Sequence, residues 1–158
     1  MKDHLVQTVA LHDISARYNQ AREYLQVYLL RTMHELGLLR HLAFVGGTAL
    51  RLLFDLPRFS EDMDFSLDYQ SKLSASELFN HFTKLKTSLI QSGYSVAITI
   101  KKPKNVFNIL CKFIGLPHEI GITTDHRISI TIKIEIDLKP PLGATIETSF
   151  IQKFFPKF

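Results

Sequence analysis

The chain has a single cysteine, Cys111, in 158 residues. A lone thiol forms neither an internal disulfide nor a thiolate zinc site, and its isolation suits a reducing compartment. Long apolar runs are missing too, since no window approaches the roughly 18 to 20 uninterrupted apolar residues of a membrane-spanning helix. The first dozen residues carry Asp3, His4 and His12 where a secretory signal would be apolar. These absences lead us to expect a cytoplasmic protein with no membrane partner. The seven histidines show no H-E-x-x-H and no paired spacing along one helix face, so a zinc site has no motif behind it. Ser60 has neither a G-x-S-x-G setting nor a histidine nearby in sequence, which argues against a nucleophilic serine. Repeats, low-complexity tracts and linkers are also lacking. Charge of one sign barely dominates: 19 Lys and Arg against 15 Asp and Glu leave +4, which tolerates a phosphate-bearing partner without demanding one.

What is present is one domain's worth of chain, residues 1–158, with 46% hydrophobic residues and 22% charged ones. Apolar residues from Ile14 through Tyr18, Ala21, Leu25, Tyr28 and Leu29 to Met33 and Leu36 recur every three or four positions and predict a helix over 13–39. Residues 42–45 are a short apolar run fit for a buried strand, followed by Gly46-Gly47 and a short helix over 48–54 that stops before Pro57. Residues 62–68 alternate Met63, Phe65 and Leu67 against Asp62, Asp64, Ser66 and Asp68, the period of a half-buried strand. Ser74-Ala75-Ser76-Glu77 has the S-x-x-E capping form and opens a helix running to Gly93. Residues 94–102 and 106–114 predict a hairpin around Pro103, with Lys101, Lys102 and Lys104 at its end. The hairpin lysines are expected to be a solvated tip. The strongest alternation lies in 127–139, with Ile128, Ile130, Ile132, Ile134, Ile136 and Leu138 on one face and only polar residues on the other. The order of elements predicts an α+β (mixed α/β) fold, one mixed sheet flanked by helices.

Three features share the chemistry of phosphate and metal. Gly46-Gly47-Thr48 joins a strand to a helix, where glycines permit close backbone approach and free amides face an anion; a plain tight turn uses the same residues. Asp62 and Asp64, two apart on a strand, project from one face. Paired hard carboxylate oxygens are what Mg²⁺ or Mn²⁺ takes, and like charges so close repel unless a cation lies between them. The alternative is a solvated acidic face. Glu135 and Asp137 repeat the spacing beside Lys133; either could complete a metal site or serve as general base, and Lys133 with Glu135 could equally be a self-balancing pair.

Phe44-Val45-Gly46-Gly47-Thr48-Ala49-Leu50-Arg51-Leu52 followed by Arg58-Phe59-Ser60-Glu61-Asp62-Met63-Asp64-Phe65-Ser66 closely resembles the first motif of the nucleotidyltransferase AbiEii/AbiGii toxin family, within the polymerase-β-like nucleotidyltransferase superfamily. Lys133-Ile134-Glu135 is similar to its second motif, a K-[I/L]-[D/E] strand, which favours Glu135 over Asp137 as third carboxylate. The resemblance implies the nucleotidyltransferase fold, a mainly antiparallel mixed sheet with flanking helices. It implies that an acceptor hydroxyl attacks the α-phosphate of a nucleoside triphosphate and pyrophosphate leaves. Gly46, Gly47 and Thr48 would hold the triphosphate, Asp62, Asp64 and Glu135 the metals, and Lys133 would face the phosphates. Such proteins are toxins of toxin-antitoxin or abortive-infection systems; transfer RNA is the acceptor the resemblance implies, and an antitoxin the protein partner.

The family's pattern continues into a mainly helical C-terminal region with a further lysine and a K-G-R-D-x-x-D-like segment, and nothing before Phe158 matches either. The resemblance therefore covers the front half of the pattern. Two expectations follow: an active transferase, or an inactive interaction module that binds an antitoxin-like partner. In both, the tail over 145–158 exposes Phe150, Phe154, Phe155 and Phe158, a surface suited to a partner or to a second copy of the chain.

Overall fold

A computed structural model describes residues 2–101 and 104–158; Lys102 and Pro103, at the turn of the expected hairpin, lie outside the described residues. The elements are α1 (Lys2–Ala10), α2 (Ile14–Glu35), a short 3₁₀ turn (Leu38–His41), β1 (Leu42–Val45), α3 (Gly46–Phe54), β2 (Met63–Leu67), α4 (Ala75–Gln91), β3 (Val96–Lys101), β4 (Val106–Ile114), α5 (Leu116–Glu119) and β5 (Ser129–Asp137). The strands form one sheet in the order β1-β2-β5-β4-β3. Among the described strands only β2 and β5 pair in parallel and the other pairings are antiparallel, so the sheet is mixed, as the order of elements implies, and mainly antiparallel, as the resemblance implies.

Alternation decides which face is buried. Ile130, Ile132, Ile134 and Ile136 of β5 join Met63 and Phe65 of β2 and Phe107, Ile109, Cys111 and Phe113 of β4 in the core beneath α2 and α4. Their sequence neighbours Lys133, Glu135, Asp64 and Asn108 project to the other face, which is only partly buried. Burial pushes the Cys111 thiol up to about 12, leaving it an inert packing group. The capping box of α4 forms in full: the Ser74 hydroxyl accepts from the Glu77 amide at 3.2 Å and the Glu77 carboxylate accepts from the Ser74 amide at 2.6 Å.

Several elements depart from the sequence reading. Helix α2 ends at Glu35 because Gly37 takes a left-handed conformation, φ 75°, and the chain resumes as a 3₁₀ turn. Its middle, from Glu23 to Leu30, is buried on every side, where periodicity indicated one buried stripe. Helix α3 begins at Gly46, two residues earlier than expected. Helix α1 and the single turn α5 have no counterpart in the sequence reading; α1 anchors through Leu5 and Val9, too few apolar positions to announce a helix.

The exposed aromatic tail needs correction. Phe155 is buried and sits among His4, Tyr24 and Tyr28, with Arg31 over its ring at 5.2 Å. Phe154 packs on Tyr24 and Phe158 on His34. Reciprocal backbone hydrogen bonds between Ile151 and Phe158 close the segment on itself. Of the four phenylalanines only Phe150 is exposed. The partner for these rings is α1 with α2, an intramolecular surface that local pattern cannot show. No helix among the described residues is long and apolar enough to cross a membrane.

Candidate active site

The parallel pairing of β2 with β5 sets Asp64 directly opposite Glu135 and Ser66 opposite Asp137. Neighbouring strands are about 4.8 Å apart, so the first pair shares one patch of the sheet face. The row continues from Glu135 to Asn108 of β4. Asp137 pairs with Ser66 two residues further along the strand, and its carboxylate accepts the Lys139 amide at 2.9 Å, so Glu135 is the carboxylate of β5 that stands opposite Asp64. Asp62 stands immediately before β2 and lines a pocket of about 390 Å³ with Gly47, Arg58, Phe59, Ser60, Glu61 and Asp64.

Helix α3 points its start at this pocket. No side chain caps it, so the amides of its first turn have no intrahelical or side-chain partner. Gly46 has φ 77° and is packed so near Asp64 that a Cβ would collide with the carboxylate; a Cβ on Gly47 would meet the Ser60 hydroxyl at 3.2 Å and the Arg58 guanidinium at 3.6 Å. The glycine pair therefore lets a helix terminus press against a carboxylate strand. Thr48 is buried and its hydroxyl donates to the Asp62 carbonyl, which ties the first turn of α3 to the residue before β2.

Electrostatics single out Asp64. Burial, then the charge of Glu135, then that of Asp62 hold its carboxyl above the ordinary value, with Lys133 acting in the opposite sense. Lys133 binds Glu135 at 2.5 Å, and this hydrogen bond, with the nearby carboxylates, raises its own affinity for the proton. Both side chains of that pair are well exposed, so its net stabilisation is small.

A divalent cation suits this donor set. The carboxylates offer hard oxygen donors whose mutual repulsion at Asp64 is only partly offset by Lys133, and the buried Asn108 amide oxygen beside Glu135 has no hydrogen-bond partner among the described residues. Among the described residues no three Asp, Glu, His or Cys side chains yet converge as one ligand set; Lys133 holds Glu135 in the arrangement seen. Arg58 and Asn108 carry no individual role in the sequence reading, and Ser60 enters it only as a serine without a nucleophile's setting. The only signal for Arg58 and Ser60 was their place in the R-x-S-x-D-x-D segment, and for Asn108 there was none without the β4–β5 register.

The start of α3 is thus packed against the acidic strand β2 at the edge of a polar pocket. Residues 28–157 match the model of the nucleotidyl transferase AbiEii toxin family, type IV toxin-antitoxin system, and the chain belongs to that family. No curated protein matches the sequence. Among solved structures, the chain is similar to a candidate nucleotidyltransferase from H. pylori, at 27% identity over 73% of this chain and 45% of that one, with a TM-score of 0.48. It is also similar to JHP933 from Helicobacter pylori, at 24% identity over 79% of this chain and 49% of that one, again with a TM-score of 0.48. The chain thus spans about half the length of each.

Proposed function

We propose that this chain carries the nucleotide- and metal-binding half of a nucleotidyl transfer reaction. The observation that carries the reading is the Asp64–Glu135 register pair set against the glycine-led start of α3. The amides of Gly46, Gly47 and Thr48 bind phosphate oxygens of a nucleoside triphosphate, favoured by the positive end of the helix. Asp62, Asp64 and Glu135 would hold Mg²⁺ or Mn²⁺, and Lys133, which pairs with Glu135 here, would neutralise phosphate charge. Bound there, the cation supplies positive charge to the reacting oxygens and lowers the pKa of an attacking hydroxyl. The acceptor oxygen forms a bond to the α-phosphorus, the bond from that phosphorus to the bridging oxygen breaks, and pyrophosphate leaves with the electron pair. The hydroxyl proton passes to Glu135. Transfer RNA is the acceptor, and an antitoxin is the protein partner the family implies in the cytoplasm.

The alternative, an inactive module that recognises a partner through its aromatic tail, loses its surface because Phe154, Phe155 and Phe158 pack against α1 and α2. The test is incubation of the chain with Mg²⁺, transfer RNA and each α-labelled nucleoside triphosphate. Label should enter the RNA and disappear with Asp64→Asn. Equal labelling by that variant would place the chemistry elsewhere.

A further inference from the structure

Glu23 and Gln26 occupy successive turns of α2, each only 2% exposed, and neither lines the pocket. A buried carboxylate persists only when paired and hydrogen-bonded. Glu23 receives the Arg51 fork, Nε at 2.5 Å and Nη2 at 3.2 Å, and Lys153 Nζ at 2.8 Å. From that anchorage Arg51 reaches loop 55–62, where its Nη1 donates to the Leu56 carbonyl at 3.0 Å and its guanidinium lies 4.0 Å from the Phe59 ring centre. Gln26 Nε2 donates to the Ser60 carbonyl at 2.9 Å and the Glu61 carbonyl at 3.1 Å. Arg22 pairs with Glu61 at 3.0 Å, and Thr48 donates to the Asp62 carbonyl. Leu56, Phe59, Ser60, Glu61 and Asp62 are therefore each tied to α2 or α3, and the exposed Arg58 between them is directed at Gly47.

We propose that Glu23 and Gln26 are positioning residues that act through Arg51 and the loop carbonyls to fix Asp62, Ser60 and Arg58 against the start of α3. The proposal rests on the nucleotide reading of the site. A packing role alone would be served by apolar side chains at these depths, without the desolvation of a carboxylate and an amide; the directed bonds to a loop outside the core are what the polar groups add. Lys153 makes the same carboxylate a junction between the loop and the tail.

The experiment uses the full chain with Gln26→Leu, which keeps size and removes both donated bonds, and Arg51→Lys, which keeps a cation for Glu23 but loses the Nη1 bond to the Leu56 carbonyl and the planar guanidinium over Phe59. Amide hydrogen exchange and binding of MgATP, MgGTP, MgCTP and MgUTP in turn are measured against wild type. The amides of residues 58–62 should exchange on the order of tenfold faster while those of β4 and β5 stay unchanged, a local pattern that general loss of packing does not give. Affinity for whichever nucleotide the wild type binds should fall on the order of 10- to 100-fold. A folded variant with wild-type loop exchange, or with a loosened loop and wild-type affinity, overturns the proposal. Failure of the wild type to bind any nucleotide overturns the functional reading instead, and loop exchange alone then decides whether α2 sets the loop.

Discussion

Gly46 and Asp64 stand so close that a Cβ on the first would run into the carboxylate of the second. The helix start and the acidic strand are thus in direct contact, with β1 feeding one and pairing the other through Val45 and Asp64. Gly46→Ala combines this collision with a left-handed φ of 77°. The backbone conformation alone costs roughly 1–3 kcal/mol for a non-glycine residue, and a chain of this size loses about 2–4 °C of Tm per kcal/mol. Gly47→Ala meets only the movable ends of Ser60 and Arg58 and should melt within about 2 °C of wild type while weakening phosphate binding. Thermal melts of the two variants test the contrast; equal losses would mean that the Gly46–Asp64 approach is looser than described.

Asp64 binds its proton more tightly in the folded chain than in the unfolded one, because burial and the charges of Glu135 and Asp62 disfavour the carboxylate. Ionisation therefore removes stability as pH rises from the ordinary value of 3.8 through the folded one, and the loss is complete above it. Asp64→Asn should raise Tm of the metal-free chain at pH 7 and give no gain well below pH 3.8, where both forms are neutral. Melting curves over that range measure it. A variant less stable than wild type at pH 7 without metal would show that Asp64 is paired rather than repelled.

Much of this arrangement is legible along the chain. The unbroken alternation of Ile128 to Leu138 states which face of β5 is buried, and the same logic on β2 puts Asp62 and Asp64 on one side. What alternation cannot state is register, so the Asp64–Glu135 pairing and the place of Asn108 beside it appear only with the sheet. The tail failed for a related reason: Phe155 meets Tyr24 and Tyr28 across more than a hundred residues, and the surface that covers it includes α1, whose own pattern is weak. Glu23 and Gln26 did leave a signal, polar residues inside the otherwise apolar span 23–30, and only the loop bonds give that signal a meaning.

The tail makes its own prediction. Phe155→Ala deletes a ring seated in an aromatic cage and should cost about 3–5 kcal/mol, the range for a buried phenylalanine. Phe150→Ser, at an exposed position, should stay within about 0.5 kcal/mol of wild type. Urea denaturation of both reads the difference. Similar midpoints would return the tail to the surface role its sequence suggests.

Divalent cation and nucleotide should stabilise the chain together. Binding to the native state alone adds RT ln(1 + [L]/Kd), about 2.7 kcal/mol at a hundredfold excess over Kd. Mg²⁺ or Mn²⁺ with the preferred triphosphate should therefore raise Tm by several degrees, since each kcal/mol is worth about 2–4 °C in a chain of this length. Asp62→Asn with Asp64→Asn removes two ligands and also removes the repulsion centred on Asp64, so the apo variant should melt at or above wild type while its ligand shift vanishes. Lys133→Met separates the remaining roles. It frees Glu135 from its 2.5 Å partner, so the shift with metal alone should persist or grow, whereas the additional shift from the triphosphate should shrink if that ammonium turns to the phosphates. A double carboxylate variant that keeps the full ligand shift would move the nucleotide away from β2 and β5. A Lys133→Met variant indistinguishable from wild type in both shifts would leave that lysine only its ion pair with Glu135.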